Sequence, residues 1–211
     1  MFTITVNYHA ACYPGSRTRN TDSVPASRTG MTLTETSRER VDDWLADFSQ
    51  RYESFERVEV RWELPPDRYD ADRQRIAAGE NGGAGVHLRN DEGSVLLVRD
   101  EGADGWTDPG GKREKGESFE AAARRETREE TGVACALTGL LEVHVLEIVD
   151  ETDPARPTLY SLIAIFAGEP VADDPAPRPA EGETAAVDWF DASPEAVGYP
   201  EVATRPYPNP A

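Results

Sequence analysis

Cysteine and lysine are scarce in this chain, and long apolar runs are absent. Only two of its 211 residues are cysteines, Cys12 and Cys135, so a disulfide framework is neither needed nor indicated at this length. The best apolar run, residues 159–167, has the length of a strand and falls short of the roughly 18 residues of a membrane span. These absences predict a cytoplasmic protein with unpaired thiols and no membrane partner.

Positive charge is also in short supply, since 22 basic residues face 40 acidic ones and the formal net charge is −18. The basic residues are arginines except for Lys112 and Lys115. A field of this sign repels nucleic acid, which is therefore not expected as a partner. An acidic, lysine-poor surface resembles that of halophilic proteins, in whose salt charge repulsion is screened over about 3 Å. An ordinary acidic soluble protein is the alternative.

Composition and hydrophobic pattern divide the chain into four segments. Residues 1–30 are net positive and form either a disordered leader or a stretch preceding a translation start at Met31. An amphipathic helix over 36–55, with Thr36 and Glu39 as a capping box, and an alternating strand over 58–64 predict an amino-terminal helix-strand extension. The segments are the leader (1–30), this extension (31–80), a central domain (81–195) and an irregular tail (196–211).

The central domain alternates strand patterns with one helix. Apolar runs on either side of the turn NDEG predict a β-hairpin over 85–100. After a glycine-rich loop, a helix is predicted over 118–131, with Gly132 as its left-handed cap. Further strands are predicted over 136–149, 157–167 and 185–191. Strands on either side of a central helix predict an α/β sandwich built on a mixed sheet.

Three carboxylates share one face of that helix. Glu126, Glu129 and Glu130 are spaced i, i+3 and i+4, so they project into one arc of about 100°. A solvated helix, held by i, i+4 pairs with its arginines, would account for the charges alone. The Pro-Gly-Gly sequence before the helix, a further carboxylate at Glu117 and alanines on the adjoining face instead favour a partly buried cluster that needs a cation.

Residues 111–133, GKREKGESFEAAARRETREETGV, resemble the Nudix box: Gly, five residues, Glu, seven residues, Arg-Glu, an aliphatic, any residue, Glu-Glu, any residue, Gly and an aliphatic. The matching positions are Gly111, Glu117, Arg125, Glu126, Glu129, Glu130, Gly132 and Val133. Thr127 departs, because it stands where a bulky aliphatic is usual, on the core side of the helix. The resemblance implies a Nudix-type α/β/α sandwich around a mixed β-sheet over 81–195, and the departure concerns local packing only.

The resemblance also implies an activity. It implies a metal-dependent pyrophosphohydrolase that cleaves a nucleoside diphosphate linked to another moiety, by water attack at phosphorus, with Mg²⁺ or Mn²⁺ as cofactor. A cluster of hard oxygen ligands suits such an ion, which would lower the pKa of the attacking water. The alternative is a Nudix-fold regulatory module that senses a nucleotide without cutting it. Such a module would be expected to lose box carboxylates, and none is missing.

Roles follow from the resemblance residue by residue. The implied metal ligands are Glu126, Glu129 and Glu130, with Glu117 as an auxiliary ligand through water. Glu126 is also the candidate for orienting or deprotonating the water. Arg125 is expected to pair with one of these carboxylates and hold it in place, rather than to touch phosphate.

Other candidates lie outside the helix. Gly110 and Gly111 are expected to shape the loop that admits the diphosphate. Trp106 either lines the nucleotide pocket or belongs to the core. Glu183 resembles a recurrent family position that can supply the general base, and its alternative is an ordinary loop carboxylate.

The substrate stays open at this point, because the segment IVDETDP beyond the box lacks the proline or tyrosine markers of known subfamilies. ADP-ribose, dinucleoside polyphosphates, oxidised nucleoside triphosphates and nucleotide sugars are all candidates. The extension over 36–64 is expected either to form a homodimer interface or to cover the pocket. His87 and His144 are interpreted as ordinary strand histidines.

Overall fold

The computed structural model describes residues 30–171, 176–179 and 184–208, which form four helices and seven strands. The elements in chain order are α1 (Leu33–Arg51), β1 (Glu56–Leu64), α2 (Pro66–Ala77), β2 (Gly83–Arg89), β3 (Val95–Asp100), β4 (Gly110–Lys112), α3 (Phe119–Thr131), β5 (Cys135–Asp150), β6 (Leu159–Pro170), β7 (Thr184–Phe190) and α4 (Pro200–Thr204). Residues 1–29 of the predicted leader and the candidate base Glu183 lie outside the described residues. Within the described ranges, no helix combines the length and apolar character needed to cross a bilayer.

All seven described strands join one mixed sheet, as the sequence predicted. The strand order is β1-β5-β6-β2-β3-β7, and β4 pairs with the first residues of β2. The β1–β5 and β2–β6 pairs are parallel, and the other pairs are antiparallel. Because β4 joins the sheet beside the central strand β2, it carries Gly110 and Gly111 into the middle of the fold.

Helices cover both faces of the sheet. On one face α1 packs against α3, where the rings of Trp44 and Phe119 meet edge to face with centroids 5.0 Å apart. On the other face α2 buries Tyr69 in a second core cluster. Along β5, Val145 belongs to the first cluster and its neighbour Leu146 to the second, as the alternation of side chains along a strand requires. The predicted α/β/α sandwich is confirmed.

The first helix begins earlier than the sequence predicted, and a different capping box starts it. Thr32 is the N-cap: its side chain accepts the Glu35 N–H at 3.2 Å, and the Glu35 carboxylate accepts the Thr32 N–H at 2.8 Å. The predicted pair, Thr36 and Glu39, has the same spacing. The earlier start lets Leu33 pack against the second core cluster, a tertiary contact that the local pattern does not contain.

The tail is more regular than predicted, and a helix also follows β1. That helix, α2, has Pro66 at its first position, where the missing N–H would have no helical partner anyway. The tail, predicted to be irregular from residue 196, forms α4 and buries Val202 beside Val95 and Leu97. Burial of Tyr69 and Ile76 in α2, and of Val202 in α4, ties these segments to the core.

Candidate active site

The box helix α3 has well-defined ends. The Ser118 side chain accepts a backbone N–H of the first turn at 3.1 Å. Gly132 closes the helix at a φ of +73°, in the left-handed region that favours glycine. The inner face buries Phe119, Ala122 and Ala123. Because the alanines are small, the helix can lie close to β2, and the carboxylates further along it then face β4.

Thr127, the one departure from the box, is fully buried on the inner face of α3. Its hydroxyl donates to the carbonyl oxygen of Ala123, one turn earlier, at 2.8 Å. This bond satisfies a polar group that the core would otherwise leave unpaired. Threonine is therefore compatible with the packing of the helix at this position.

Arg125 lies among three of the four box glutamates. It donates to Glu117 from Nε at 3.0 Å and from Nη2 at 2.9 Å. Its Nη1 donates to Glu126 at 2.8 Å and to Glu129 at 3.0 Å. The guanidinium thus joins Glu117, which precedes the helix, to two carboxylates on the helix itself.

The two glycines of β4 form the opposite wall of this cluster. The Gly110 N–H donates to Oε2 of Glu130 at 2.8 Å. A Cβ atom at Gly111 would lie 2.5 Å from the carboxyl carbon of Glu126, closer than van der Waals contact permits. The missing side chain of Gly111 leaves room for this carboxylate, which a larger residue would displace. Arg125 thus holds Glu117, Glu126 and Glu129, and the Gly110 N–H of β4 holds Glu130.

Burial and charge act in opposite directions on these groups. Hydrogen bonds from Arg125 hold the pKa of Glu117 below its usual value. Burial raises the pKa of Glu126, and the contacts with Arg125 offset only part of that rise. Hydrogen bonds to Glu117 first, and then to Glu126, raise the pKa of Arg125, so its guanidinium stays charged. A positive charge is what holds the cluster together.

The donor set suits a hard divalent cation, since it consists of carboxylate oxygens. Each carboxylate offers about four lone-pair sites, so the groups bonded to Arg125 or Gly110 keep capacity for another ligand. Among residues 30–171, 176–179 and 184–208, no three acidic, histidine or cysteine side chains are already arranged as a metal site. Three of the carboxylates, Glu126 among them, are instead hydrogen-bonded to Arg125. The missing side chain of Gly111 leaves the space that the Glu126 carboxylate occupies. The residues fit Mg²⁺ or Mn²⁺ chemically.

A small cleft, open to solvent, lies beside β4 on the sheet face opposite α3. Its apolar walls are formed by Val60, Trp62, Leu146, Ile163 and Ile165, and its polar end by Thr107, Asp108, His144 and Tyr199. Gly110 also lines it, so β4 separates the cleft from the carboxylate cluster. Val60 and Trp62 belong to β1, so the amino-terminal extension supplies part of the wall.

Trp106 does not line this cleft. Its ring packs edge to face on Phe190, with centroids 4.7 Å apart, and the guanidinium of Arg99 lies 5.3 Å from its centre. These contacts place it in a third core cluster with residues of β3, β7 and the tail. The candidate base Glu183 lies outside the described residues.

A buried ion-pair network lies at the polar end of the cleft. Arg205, which follows α4, donates to Asp108 and to Glu142, and the three side chains are at most 6% exposed. The hydroxyl of Tyr199 also donates to Asp108. On the cleft side, Nε2 of His144 lies 2.9 Å from Oε1 of Glu142. The loop that leads into β4 is thereby fastened to the tail of the chain.

The electrostatics of the network keep both carboxyl groups ionised. Burial alone would raise the pKa of Asp108, but the charge of Arg205 outweighs it and holds this pKa well below its usual range. Burial also opposes ionisation of Glu142, whose pKa is nevertheless lowered by the hydrogen bond with His144 and by Arg205. Two anions and one guanidinium therefore share a site from which water is excluded.

The sequence did not predict this network, because its members are far apart along the chain. For example, Nη1 of Arg205 lies 3.5 Å from Nδ1 of His87, although the two residues are 118 positions apart in the sequence. The available signal was the spacing of Glu142 and His144. Side chains two residues apart on a strand point to the same face of the sheet. The side chains of Glu142 and His144 were therefore predictable as neighbours.

Comparison with known proteins gives a match to one family. A family model described as the NUDIX domain matches residues 80–201, which is more than half of the chain. The Burkholderia pseudomallei MutT NUDIX hydrolase structure is 28% identical, with a TM-score of 0.44, and the match covers 56% of this chain and 88% of that one.

Two named relatives match over shorter stretches. The Xenopus laevis protein "Nucleoside diphosphate-linked moiety X motif 6" is 39% identical over 69 residues, which is 32% of each chain. The Bacillus subtilis protein "Putative 8-oxo-dGTP diphosphatase" is 42% identical over 62 residues, or 29% of this chain and 42% of that one. The matched stretch therefore spans less than half the length of either relative.

Proposed function

Because this chain belongs to the Nudix hydrolase family, we propose that it is a metal-dependent pyrophosphohydrolase that cleaves a nucleoside diphosphate linked to another moiety. The observation that carries the proposal is the meeting of four box carboxylates between α3 and β4, namely Glu117, Glu126, Glu129 and Glu130. The adjoining cleft, with its apolar walls, is where the rest of the nucleotide would lie. A negatively charged diphosphate needs a cation beside these carboxylates, which is the role of the metal.

Bound Mg²⁺ or Mn²⁺ would neutralise the diphosphate, polarise the phosphorus and lower the pKa of a water molecule. Glu126, Glu129 and Glu130 would hold the ion, and Glu117 would assist through water. Glu126 accepts the hydrogen bond of Arg125 at Oε1, so its Oε2 is the atom that orients the attacking water or takes its proton. Arg125 keeps the carboxylates in place, and the missing side chain at Gly110 lets β4 lie against the backbone of β2, so that the Gly110 N–H reaches Glu130.

A screen of nucleotides tests the activity. The purified protein is incubated with Mg²⁺ and with ADP-ribose, nucleotide sugars, dinucleoside polyphosphates or oxidised nucleoside triphosphates, and release of nucleoside mono- and diphosphates is followed. The names of the two relatives are the reason for including both linked diphosphates and an oxidised dGTP. In water enriched in ¹⁸O, the label should enter a product phosphate. Tight nucleotide binding without turnover of any compound would support the regulatory module instead.

Substitution of the box carboxylates tests the site. Glu129→Gln and Glu130→Gln should lower kcat by about a hundredfold or more while the circular dichroism spectrum is unchanged, because charge stabilisation in the transition state is lost. Glu120→Gln is the matched control, since it makes the same change on the same helix at a side chain that contacts Tyr52 at 2.7 Å instead of the cluster. Near-full activity of Glu130→Gln would contradict the assignment.

A further inference from the structure

Among the described residues that line the cleft, His144 is the one imidazole, and it lies with Thr107, Asp108 and Tyr199. Its side chain is 6% exposed and is held edge to face against Tyr199, with ring centroids 5.5 Å apart. Its Nε2 lies 2.9 Å from Oε1 of Glu142. In the described part of the chain, no hydrogen-bond partner of the other ring nitrogen, Nδ1, is found.

The network decides which ring nitrogen carries the proton. Glu142 receives a hydrogen bond from Arg205 at the same oxygen that faces His144, and it is ionised. An ionised carboxylate only accepts hydrogen bonds, so Nε2 of His144 must be the N–H donor. In the neutral imidazole Nδ1 then carries the lone pair, and it is the nitrogen left for a ligand in the cleft.

His87 offers a contrast within the same network. Its Nδ1 lies 3.3 Å from Oδ1 of Asp108, and its Nε2 is sealed from solvent without a partner. It does not line the cleft. Of the two strand histidines, only His144 can meet a molecule that enters from solvent.

Resting on the proposed function, we propose that His144 is a specificity-determining residue whose Nδ1 accepts a hydrogen bond from an amino group on the base of the nucleotide, with Glu142 and Arg205 as positioning residues that hold the required tautomer. The apolar walls suit the faces of a planar ring, and a single acceptor at the end suits an N–H on its edge. The predicted preference is for amino-bearing bases, such as adenine, over otherwise identical bases that lack the amino group.

Nuclear magnetic resonance of histidine labelled with ¹⁵N tests the tautomer in the intact protein. The chain has three histidines, so the long-range spectrum contains few signals, and the signals absent from His144→Phe are those of His144. The expected result is the Nε2–H tautomer, whose Nδ1 resonance moves on addition of adenosine. Purine riboside, which lacks the amino group, should leave that resonance in place. A ring protonated at Nδ1, or equal responses to the two nucleosides, would overturn the proposal.

Binding of the same two nucleosides tests the specificity without metal or turnover, so its outcome is independent of the hydrolase activity. The wild-type protein should bind adenosine about tenfold more tightly than purine riboside, the worth of one hydrogen bond. His144→Phe should bind both alike, whereas His87→Phe, the same change outside the cleft, should keep the preference. Preserved discrimination in a folded His144→Phe protein would refute the role.

Arg205→Gln tests the positioning role. Without the guanidinium, burial should raise the pKa of Glu142, and a protonated Glu142 can donate its O–H to Nε2. The spectrum of His144 should then show a mixture of ring forms. The preference for adenosine should fall in parallel. A folded Arg205→Gln protein with an unchanged His144 spectrum would remove Arg205 from the proposal, since a purely structural residue would leave the tautomer as it was.

Discussion

The position of the Glu126 carboxylate depends on the absence of a side chain at Gly111. A methyl group at this position would have to occupy space that the Glu126 carboxyl group fills, 2.5 Å away. Gly111→Ala should therefore displace Glu126 and lower kcat/KM by about a hundredfold, the cost of a displacement of about 1 Å at a catalytic group. Steady-state kinetics measures the effect.

Gly139→Ala is the control for this change. A Cβ atom at Gly139 would meet nothing within 4 Å, so the same substitution should leave activity intact. If the two variants behave alike, the close approach of Gly111 and Glu126 has no part in catalysis.

Asp108 contributes a pH-dependent part of the stability. Its folded-state pKa lies below the unfolded value of about 3.9, so its stabilisation is fully present above that value and is lost as the pH falls through the folded pKa. At pH 7, Asp108→Asn should lower the free energy of unfolding by about 3 kcal/mol, because the buried Arg205 loses one anion.

Urea unfolding across pH 2.5 to 7 would measure this difference. The gap between Asp108→Asn and wild type should narrow below about pH 4, where the wild-type carboxylate begins to lose its advantage. The exposed Asp104→Asn serves as the control and should track the wild type throughout. A gap that stays constant with pH would mean that Asp108 acts through packing rather than through its charge.

At the scale of elements, the start of α1 can be tested directly. Thr32→Ala removes a side chain that caps the helix and should lower the free energy of unfolding by about 1 kcal/mol. Thr36→Ala, at the cap expected from the sequence, should change it by less than about 0.5 kcal/mol, since the Thr36 hydroxyl only donates to the Thr32 carbonyl oxygen. Urea unfolding measures the free energy of unfolding of both variants. A larger loss in Thr36→Ala than in Thr32→Ala would support Thr36, the cap predicted from the sequence.

The elements that the sequence predicted well are those specified by local pattern. The helix with its carboxylates and Gly132, and the hairpin of β2 and β3, depend on spacing and turn residues within about a dozen positions. Thr32 was missed because two capping patterns stand one turn apart, and only the tertiary contact of Leu33 separates them. The local sequence is compatible with either helix start, and tertiary packing determines which one forms.

The polar end of the cleft could not be predicted for a different reason. Asp108, Glu142 and Arg205 come from a loop, a strand and the tail, and nothing in their separate neighbourhoods marks them as partners. Burial of a charged side chain is unfavourable until all its partners are present. The local sequence around each residue therefore does not indicate that the residue will be buried in an ion-pair network. The carboxylate cluster was visible because one short helix supplies most of it.

For the whole molecule, the dominant global property is the net charge of −18. Self-repulsion of this size should weaken the folded state at low salt, so raising KCl from 0.1 M should raise the melting temperature. If screening is the whole cause, most of the rise should be complete by about 1 M, where the Debye length has fallen to about 3 Å.

Thermal unfolding in KCl from 0.1 to 3 M makes the measurement, with sucrose as an uncharged control. A melting temperature that keeps rising beyond 1 M would support the halophilic interpretation, because simple screening is then exhausted. A melting temperature that does not change with KCl would show that the acidic surface does not limit stability. It would contradict both the screening explanation and the halophilic interpretation.

The parallel pairing of β1 with β5 sets an order for assembly during synthesis. Glu56 pairs with Glu142, 86 positions later, so β1 leaves the ribosome well before its partner exists. At about 5–20 residues per second, the strand waits on the order of ten seconds. Charged residues alternate along β1, among them Glu59, Arg61 and Glu63, and charges on an unpaired strand disfavour its pairing with other chains. The nascent chain thus carries its own protection against aggregation in the strand that later forms a wall of the cleft.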